Sequence, residues 1–397
     1  MNTDEQRKII IDHIINGLEL PESAYDKAKE RYEDLGEWFS RKESEVSVNN
    51  PHIFSQGSFC LGTAIRPIDE NEEYDLDLAC KLRYDISKKT HTQEGLKKLI
   101  CAELEKYRIA RGIKTLIEPK HRCLRLDYQD RLRFHIDIVP CIPMNESGLR
   151  MISESIDRAC FDKDIAKTIA QTTVSITDDR HPGYKSICDN WNSSNPEGYA
   201  MWFQHRMSLL KTESHTVDVR AQVDKIPMFK KKTPLQRVVQ LLKRHRDNWS
   251  SDNPDSKPIS IIITTLAARA YKGEDNIVTA LENILNGMAG FVNAVKPFVP
   301  NPVDPKEDFA DRWYKQECLH LRLKESFDCW IYQVQKDFQH IKTITDIEQL
   351  CTLIERKFLV RANIVELKER LGKMDSSSKT AKTYVIKREE VPKPWRA

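Results

Sequence analysis

Apolar residues recur at helical spacing from residue 4 to about 46, and the break at Pro21-Glu22-Ser23 divides the pattern into two predicted helices. Asn49-Asn50-Pro51 ends this region and opens a short strand, His52 to Ser55, which runs into Gly57-Ser58 and a helical turn through Ala64. The period then changes to two. In Tyr74-Asp75-Leu76-Asp77-Leu78 polar and apolar positions alternate, which predicts a strand from Tyr74 to Leu82. Asp75 and Asp77 share one face of it, and Tyr74, Leu76 and Leu78 point into a core. A helix is predicted over Lys88 to Arg111, followed by three β-rich runs: Lys114 to Pro119, Cys123 to Tyr128 and Arg131 to Val139. A tight turn at Gln129-Asp130 joins the last two, and Asp137 falls late on the last.

From Thr177 to Tyr199 the chain is rich in Asp, Asn, Ser, Pro and Gly, as expected of a crossing loop between lobes. Helical spacing dominates beyond it: Tyr199 to about Ser214, Pro234 to Trp249, Ile259 to Tyr271, Asn276 to Phe291, and amphipathic stretches from Asp308 to Leu371. Residues 373–397, with Ser376-Ser377-Ser378 and Pro392-Lys393-Pro394, hold too few apolar residues to pack and read as a flexible tail. The pattern predicts an α+β chain in three parts: a mixed-sheet core with the N-terminal helices (1–198), a helical C-terminal lobe (199–372) and the tail (373–397).

Composition narrows the setting. The 397 residues suffice for two lobes that share a cleft. With 63 basic and 60 acidic residues the charges nearly cancel, so any phosphate-binding patch is local. Ten cysteines are scattered, the nearest pair eleven positions apart (Cys318 and Cys329), which excludes a zinc ribbon or local redox pair and suits reduced thiols. The start, Met1-Asn2-Thr3-Asp4-Glu5, has no apolar signal core, and the most apolar stretch, Pro258 to Ala270, is too short to span a bilayer. A cytoplasmic protein with no membrane partner is expected.

An Asp-x-Asp strand by itself is more often a pair of solvated acids. Here it follows a strand, a Gly-Ser turn and a helix, and precedes a third strand acid, Asp137; that order points to metal-dependent nucleotidyl transfer. Hard oxygen ligands without imidazole or thiolate suit Mg²⁺ (or Mn²⁺), and two ions clamp the entering and leaving oxygens of an in-line displacement. Gly57 permits close backbone approach, and Ser58 adds a hydroxyl and N–H groups for phosphate oxygens. Between Lys230 and Arg246 stand seven Lys/Arg and no acid, on a helix that Thr233 caps, Pro234 opens and Leu235, Val238, Val239 and Leu242 stripe. Lys230 to Lys232 read equally as a solvated face or a phosphate or polynucleotide contact; Lys243 is the stronger phosphate candidate. Cys60, His135 and His245 are expected to pack or cap.

These segments resemble the CD-NTases, the cGAS- and DncV-like nucleotidyltransferases of the polymerase-β-like superfamily. The likeness is carried by Gly57-Ser58-Phe59-Cys60-Leu61-Gly62-Thr63-Ala64-Ile65-Arg66, Tyr74-Asp75-Leu76-Asp77-Leu78 and His135-Ile136-Asp137-Ile138-Val139-Pro140. It continues through Pro234 to His245, Lys257-Pro258-Ile259-Ser260, Asn301-Pro302-Val303-Asp304-Pro305 and Glu307-Asp308-Phe309-Ala310. The resemblance implies a nucleotidyltransferase lobe facing a helical lobe, with nucleotides between them. It places Lys243 and Ser260 at triphosphate contacts and Asp75, Asp77 and Asp137 at the catalytic metals. The implied activity joins nucleoside triphosphates into a cyclic di- or trinucleotide, with pyrophosphate release, for a product-responsive effector in anti-phage signalling of the CBASS type. Some relatives are attached to targets through a small C-terminal residue by a ubiquitin-transfer-like partner, with which Ala397 is compatible. No zinc-thumb pattern is present, so activation by DNA is not supported. Two other readings stay open: a linear or single-transfer nucleotidyltransferase, and a catalytically silent nucleotide-binding scaffold.

Overall fold

The structure, a computed structural model, describes residues 4–69, 73–129, 134–156, 163–208, 231–292 and 298–371. The expected Gln129-Asp130 turn, Lys230, the end of the helix expected to reach Ser214, and the tail with Ala397 fall wholly or partly outside these residues.

The first half builds the sheet. Helices α1 (Asp4–Leu18) and α2 (Glu22–Ser40) precede β1 (Pro51–Ser55), the short α3 (Gly57–Leu61), β2 (Tyr74–Leu82) and α4 (Gln93–Ala110). Helix α4 begins later than the periodicity from Lys88 suggested, because Thr92 caps it by accepting from the Gly95 N–H. Then come β3 (Glu118–Pro119), β4 (Leu124–Tyr128) and β5 (Phe134–Pro143), and, unread in the sequence, α5 (Glu146–Ser155), α6 (Lys163–Gln171), β6 (Val174–Ile176) and β7 (Asn192–Ser194). The seven strands form one mixed sheet whose main order is β1-β2-β5-β4-β3, with β6 on β5 and β7 on β6. Only β2 and β5 run parallel; their neighbours are antiparallel.

The period of two on the central strands decides what each face does. Leu76 and Leu78, Leu124 and Leu126, and Phe134, Ile136 and Ile138 are buried against Tyr32, Leu35 and Phe39 of α2 and Leu96, Ile100 and Leu104 of α4. The alternate residues, which include every acid singled out above, are left on the opposite face.

The second half is helical: α7 (Pro196–Met207), α8 (Pro234–Trp249), α9 (Ser260–Ala270), α10 (Ile277–Gly287), a two-stranded ribbon of β8 (Pro300–Asn301) and β9 (Asp304–Asp308), then α11 (Leu323–Thr343), α12 (Ile347–Phe358) and α13 (Ile364–Arg370). Pro234 opens α8, and Thr233 and Gln236 close a capping box around its first turn. Its stripe of Leu235, Val238, Val239 and Leu242 is fully buried. The division expected at residue 198 does not coincide with the two cores, since Ile10, Ile14 and Leu18 of α1 and Ile152 and Ile169 of α5 and α6 are buried with the helices of the second half.

Helix α8 is buried almost all round, so its polar side chains must find partners. Four of them bond to backbone carbonyls between Leu61, the last residue of α3, and Arg66. Gln236 donates to the Leu61 carbonyl at 2.9 Å, Gln240 to Ala64 at 2.7 Å and Lys243 to Thr63 at 3.0 Å, and Arg244 donates to Arg66. The Gly-Ser segment is thereby fastened to the helical half.

Candidate active site

The register of three strands assembles the acids. Asp77 lies beside Asp137 across the β2–β5 pair, and Arg125 lies beside Asp137 across β4–β5. One step along, Asp75, His135 and Asp127 line up in the same way. Carboxylate oxygens of Asp75, Asp77 and Asp137 lie within 4.8 Å of one another. Three like charges so close disfavour full ionisation. Burial first, then Asp75 and Asp137, push the Asp77 carboxyl up to about 8, and burial with Asp137 also raises Asp75.

Gly57 sits against this group with φ at +64°, where a Cβ would collide with the Asp77 carboxylate. The turn is pinned to β2, because the Gln56 N–H donates to the Asp77 carbonyl at 2.9 Å and the Gln56 side-chain amide to Leu78 at 3.2 Å. Helix α3 spans only one turn, so its anion-binding capacity lies in local N–H groups and the Ser58 hydroxyl rather than in a macrodipole.

Gly57, Ser58, Asp75, Asp77, Lys243 and Ser260 all line one cleft of about 840 Å³ between the sheet and the helical half. That volume lies within the usual range of ligand sites. Lys243 is buried, and burial first and Arg246 next lower its ammonium to about 8. Arg246, which sequence reasoning passed over, donates to the Pro258 carbonyl at 2.6 Å and to the Ser260 hydroxyl at 3.2 Å. It fixes the start of α9 beside Lys243.

Arg125 was also missed. Its guanidinium grips both oxygens of Asp137 at 2.8 Å in a two-pronged ion pair. The signal was present, since Leu124-Arg125-Leu126-Asp127 alternates as strictly as β2 does, but an outward Arg and Asp look like any solvated face. His135 neither packs nor caps: Nδ1 meets Asp127 at 2.6 Å and Nε2 meets Glu73, next to the trio. His245 does pack, held between Asp337 at 2.9 Å and the Trp330 indole N–H at 3.2 Å. Lys231 is exposed, whereas the Lys232 side chain is largely covered and pairs with Glu19.

The trio fits divalent cations on its own chemistry. Its ligands are hard oxygens within 4.8 Å of one another, and burial followed by the two neighbouring acids raises the Asp77 carboxyl. Among the described residues no helix is long and apolar enough to cross a membrane.

Residues 51–141 match the family described as cyclic GMP-AMP synthase DncV-like, nucleotidyltransferase domain. Over 364 residues the chain is 28% identical to the c-di-GMP synthase of Roseivirga ehrenbergii, covering 90% of this chain and 85% of that one. Its fold resembles that of the Bradyrhizobium diazoefficiens CD-NTase CdnG in complex with GTP, at a TM-score of 0.61 and 19% identity, covering 92% of this chain and 97% of that one. The Vibrio cholerae DncV cyclic AMP-GMP synthase, in complex with the linear intermediate 5′ pppA(3′,5′)pG, gives a TM-score of 0.51 at 13% identity, covering 92% of this chain and 89% of that one. These comparisons bear out the resemblance stated from the sequence and the expected α+β fold of a sheet-based nucleotidyltransferase lobe with a helical lobe.

Proposed function

We propose that this chain, whose residues 51–141 match a DncV-like nucleotidyltransferase domain, uses Asp75, Asp77 and Asp137 as catalytic acids and joins nucleoside triphosphates into a cyclic oligonucleotide with release of pyrophosphate. The observation that carries this reading is the clustering of the three acids within 4.8 Å, with Asp75 and Asp77 lining a cleft that Lys243 and Ser260 also line. Two Mg²⁺ or Mn²⁺ ions bound to the trio would activate the attacking ribose hydroxyl and neutralise the triphosphate and leaving pyrophosphate.

The chain's own residues do the rest. Gly57 lets the triphosphate approach Asp77, the Ser58 hydroxyl donates to it, and Lys243 and Ser260 hold it from the helical side. Asp75 and Asp77 would hold the ions in common, and Asp137 would hold the one beside the attacking hydroxyl. The first bond leaves a linear intermediate still bearing a triphosphate, and the second closes the ring at the same acids after that intermediate has turned round. The fold neighbour bound to a linear intermediate is in keeping with this order. On the family resemblance, the product serves a cytoplasmic, CBASS-type anti-phage response through an effector.

The test is incubation of the purified protein with all four triphosphates and Mg²⁺ or Mn²⁺, followed by pyrophosphate assay, phosphatase treatment and mass spectrometry. A phosphatase-resistant product is expected, with the rate falling by roughly 100-fold or more in Asp75→Asn/Asp77→Asn. Equal pyrophosphate release by both proteins removes the enzymatic reading, and a phosphatase-sensitive product moves it to a linear or single-transfer reaction.

A further inference from the structure

We propose that Arg125 is a positioning residue for the reaction: it fixes the rotamer of Asp137 and supplies a standing positive charge that lets three carboxylates face one point. The inference rests on the catalytic reading of the trio. Arg125 lies directly across the β4–β5 ladder from Asp137, with Leu124 and Leu126 buried on either side, so its backbone is held by the core rather than by the ion pair. Two N–H groups, Nε–H and one on the second terminal nitrogen, each meet a different Asp137 oxygen at 2.8 Å. A fork of this kind removes the rotational freedom of the carboxyl group, which a single ammonium does not do.

A carboxylate offers about four lone-pair positions, and the fork uses two. The others stay available, and an Asp137 oxygen lies within 4.8 Å of oxygens of Asp75 and Asp77, so the grip and cation binding are compatible. The guanidinium also opposes the raised pKa of both other acids, being among the few positive groups that do so. The same face shows that this arrangement is selective. One register step away the group between the acids is His135, which divides its two nitrogens between Glu73 and Asp127, so among the described residues only Arg125 is aimed at a member of the trio with a two-point grip.

The two parts of the role push cation binding and turnover in opposite directions. Removing the guanidinium leaves the site more negative and strengthens its attraction for a divalent ion, while it frees Asp137 to rotate and spoils in-line geometry. A merely structural ion pair would produce neither split. The experiment compares the full-length protein with Arg125→Gln and Arg125→Lys. Calorimetric titration with Ca²⁺ alone, at a pH above 8, reads affinity; pyrophosphate release with Mg²⁺ reads kcat and KM.

Arg125→Gln is expected to bind Ca²⁺ roughly fivefold more tightly and to lose about 30-fold or more in kcat, with KM for triphosphate changed by less than about threefold. Arg125→Lys, which keeps the charge but not the fork, is expected to hold near-native Ca²⁺ affinity and still lose most of kcat. Parallel loss of affinity, kcat and thermal stability in Arg125→Gln would mark a structural role and overturn the proposal, as would unchanged kcat in either variant. If the native protein binds Ca²⁺ at the trio but releases no pyrophosphate, the enzymatic reading fails by itself, and the affinity comparison still reports whether Arg125 is a counter-charge.

Discussion

Asp77 gives the site its dependence on cations and on pH. Its folded pKa of about 8 lies above the ordinary 3.8, so between those values the folded chain holds a proton that the unfolded chain has lost. The contribution to stability therefore declines as pH rises through that window, and it is lowest above about 8. A divalent ion that replaces the proton reverses the decline. The thermal shift produced by Mg²⁺ or Mn²⁺ is expected to grow from about pH 6 to about pH 8.5, as differential scanning fluorimetry would show, and to be much smaller in Asp77→Asn. Gly57→Ala sets a second test. It forces a left-handed residue to carry a Cβ against the Asp77 carboxylate, so a stability loss of about 1–2 kcal/mol and a fall in turnover of more than tenfold are expected, with the far-ultraviolet spectrum preserved. The three acids were legible because strand alternation puts their side chains on a stated face, and Gly57 because it opens the Gly-Ser turn that follows β1. Arg125, Asp127 and Glu73 were not, because nothing in a strand's own sequence says which strand lies beside it, and the sheet order alone makes Arg125 the neighbour of Asp137.

At the scale of elements, α8 joins the helical half to the Gly-Ser segment. The sequence showed its start, its Pro234, its Thr233 cap and its apolar stripe; it did not show that the other face is buried too. Gln236, Gln240, Lys243 and Arg244 look solvent-facing in a helical projection, and only the approach of residues 61–66 encloses them. Gln240→Ala is expected to lower stability by about 1–2 kcal/mol, from loss of one buried bond to Ala64, and to raise KM for triphosphate by loosening the segment; chemical denaturation and initial rates check the two parts. Lys243 behaves differently. Its folded pKa of about 8 lies below the ordinary 10.5, so the folded chain holds fewer protons between those values and stability rises with pH across that window. Below about 8 the full cost of a buried ammonium is present. At neutral pH Lys243→Met is expected to keep or raise thermal stability while triphosphate binding weakens, a divergence that a purely structural lysine would not give. Strand β7, three polar residues inside an Asn- and Ser-rich stretch, has no apolar period to reveal it, and its pairing with β6 is a tertiary fact.

For the whole molecule, the two largest buried clusters meet at one cleft, and α1 is buried wholly with the helices although it begins the chain. Near-neutral net charge implies that triphosphates are drawn by the local group of Lys243, Arg246 and Lys257 rather than by a global field. Since a bound triphosphate touches both walls, saturation with a non-hydrolysable triphosphate and a divalent ion together is expected to stabilise the fold by about 2–3 kcal/mol at one hundred times Kd, more than either alone. The central claim is that Asp75, Asp77 and Asp137 hold divalent ions against those phosphates. Crystals grown with Mn²⁺ and a non-hydrolysable triphosphate, measured for anomalous scattering, test it most directly. Peaks at coordinating distance from all three carboxylates and from phosphate oxygens are expected; manganese confined to Glu73, Asp127 and His135, or triphosphate bound with no metal at the trio, would contradict the account.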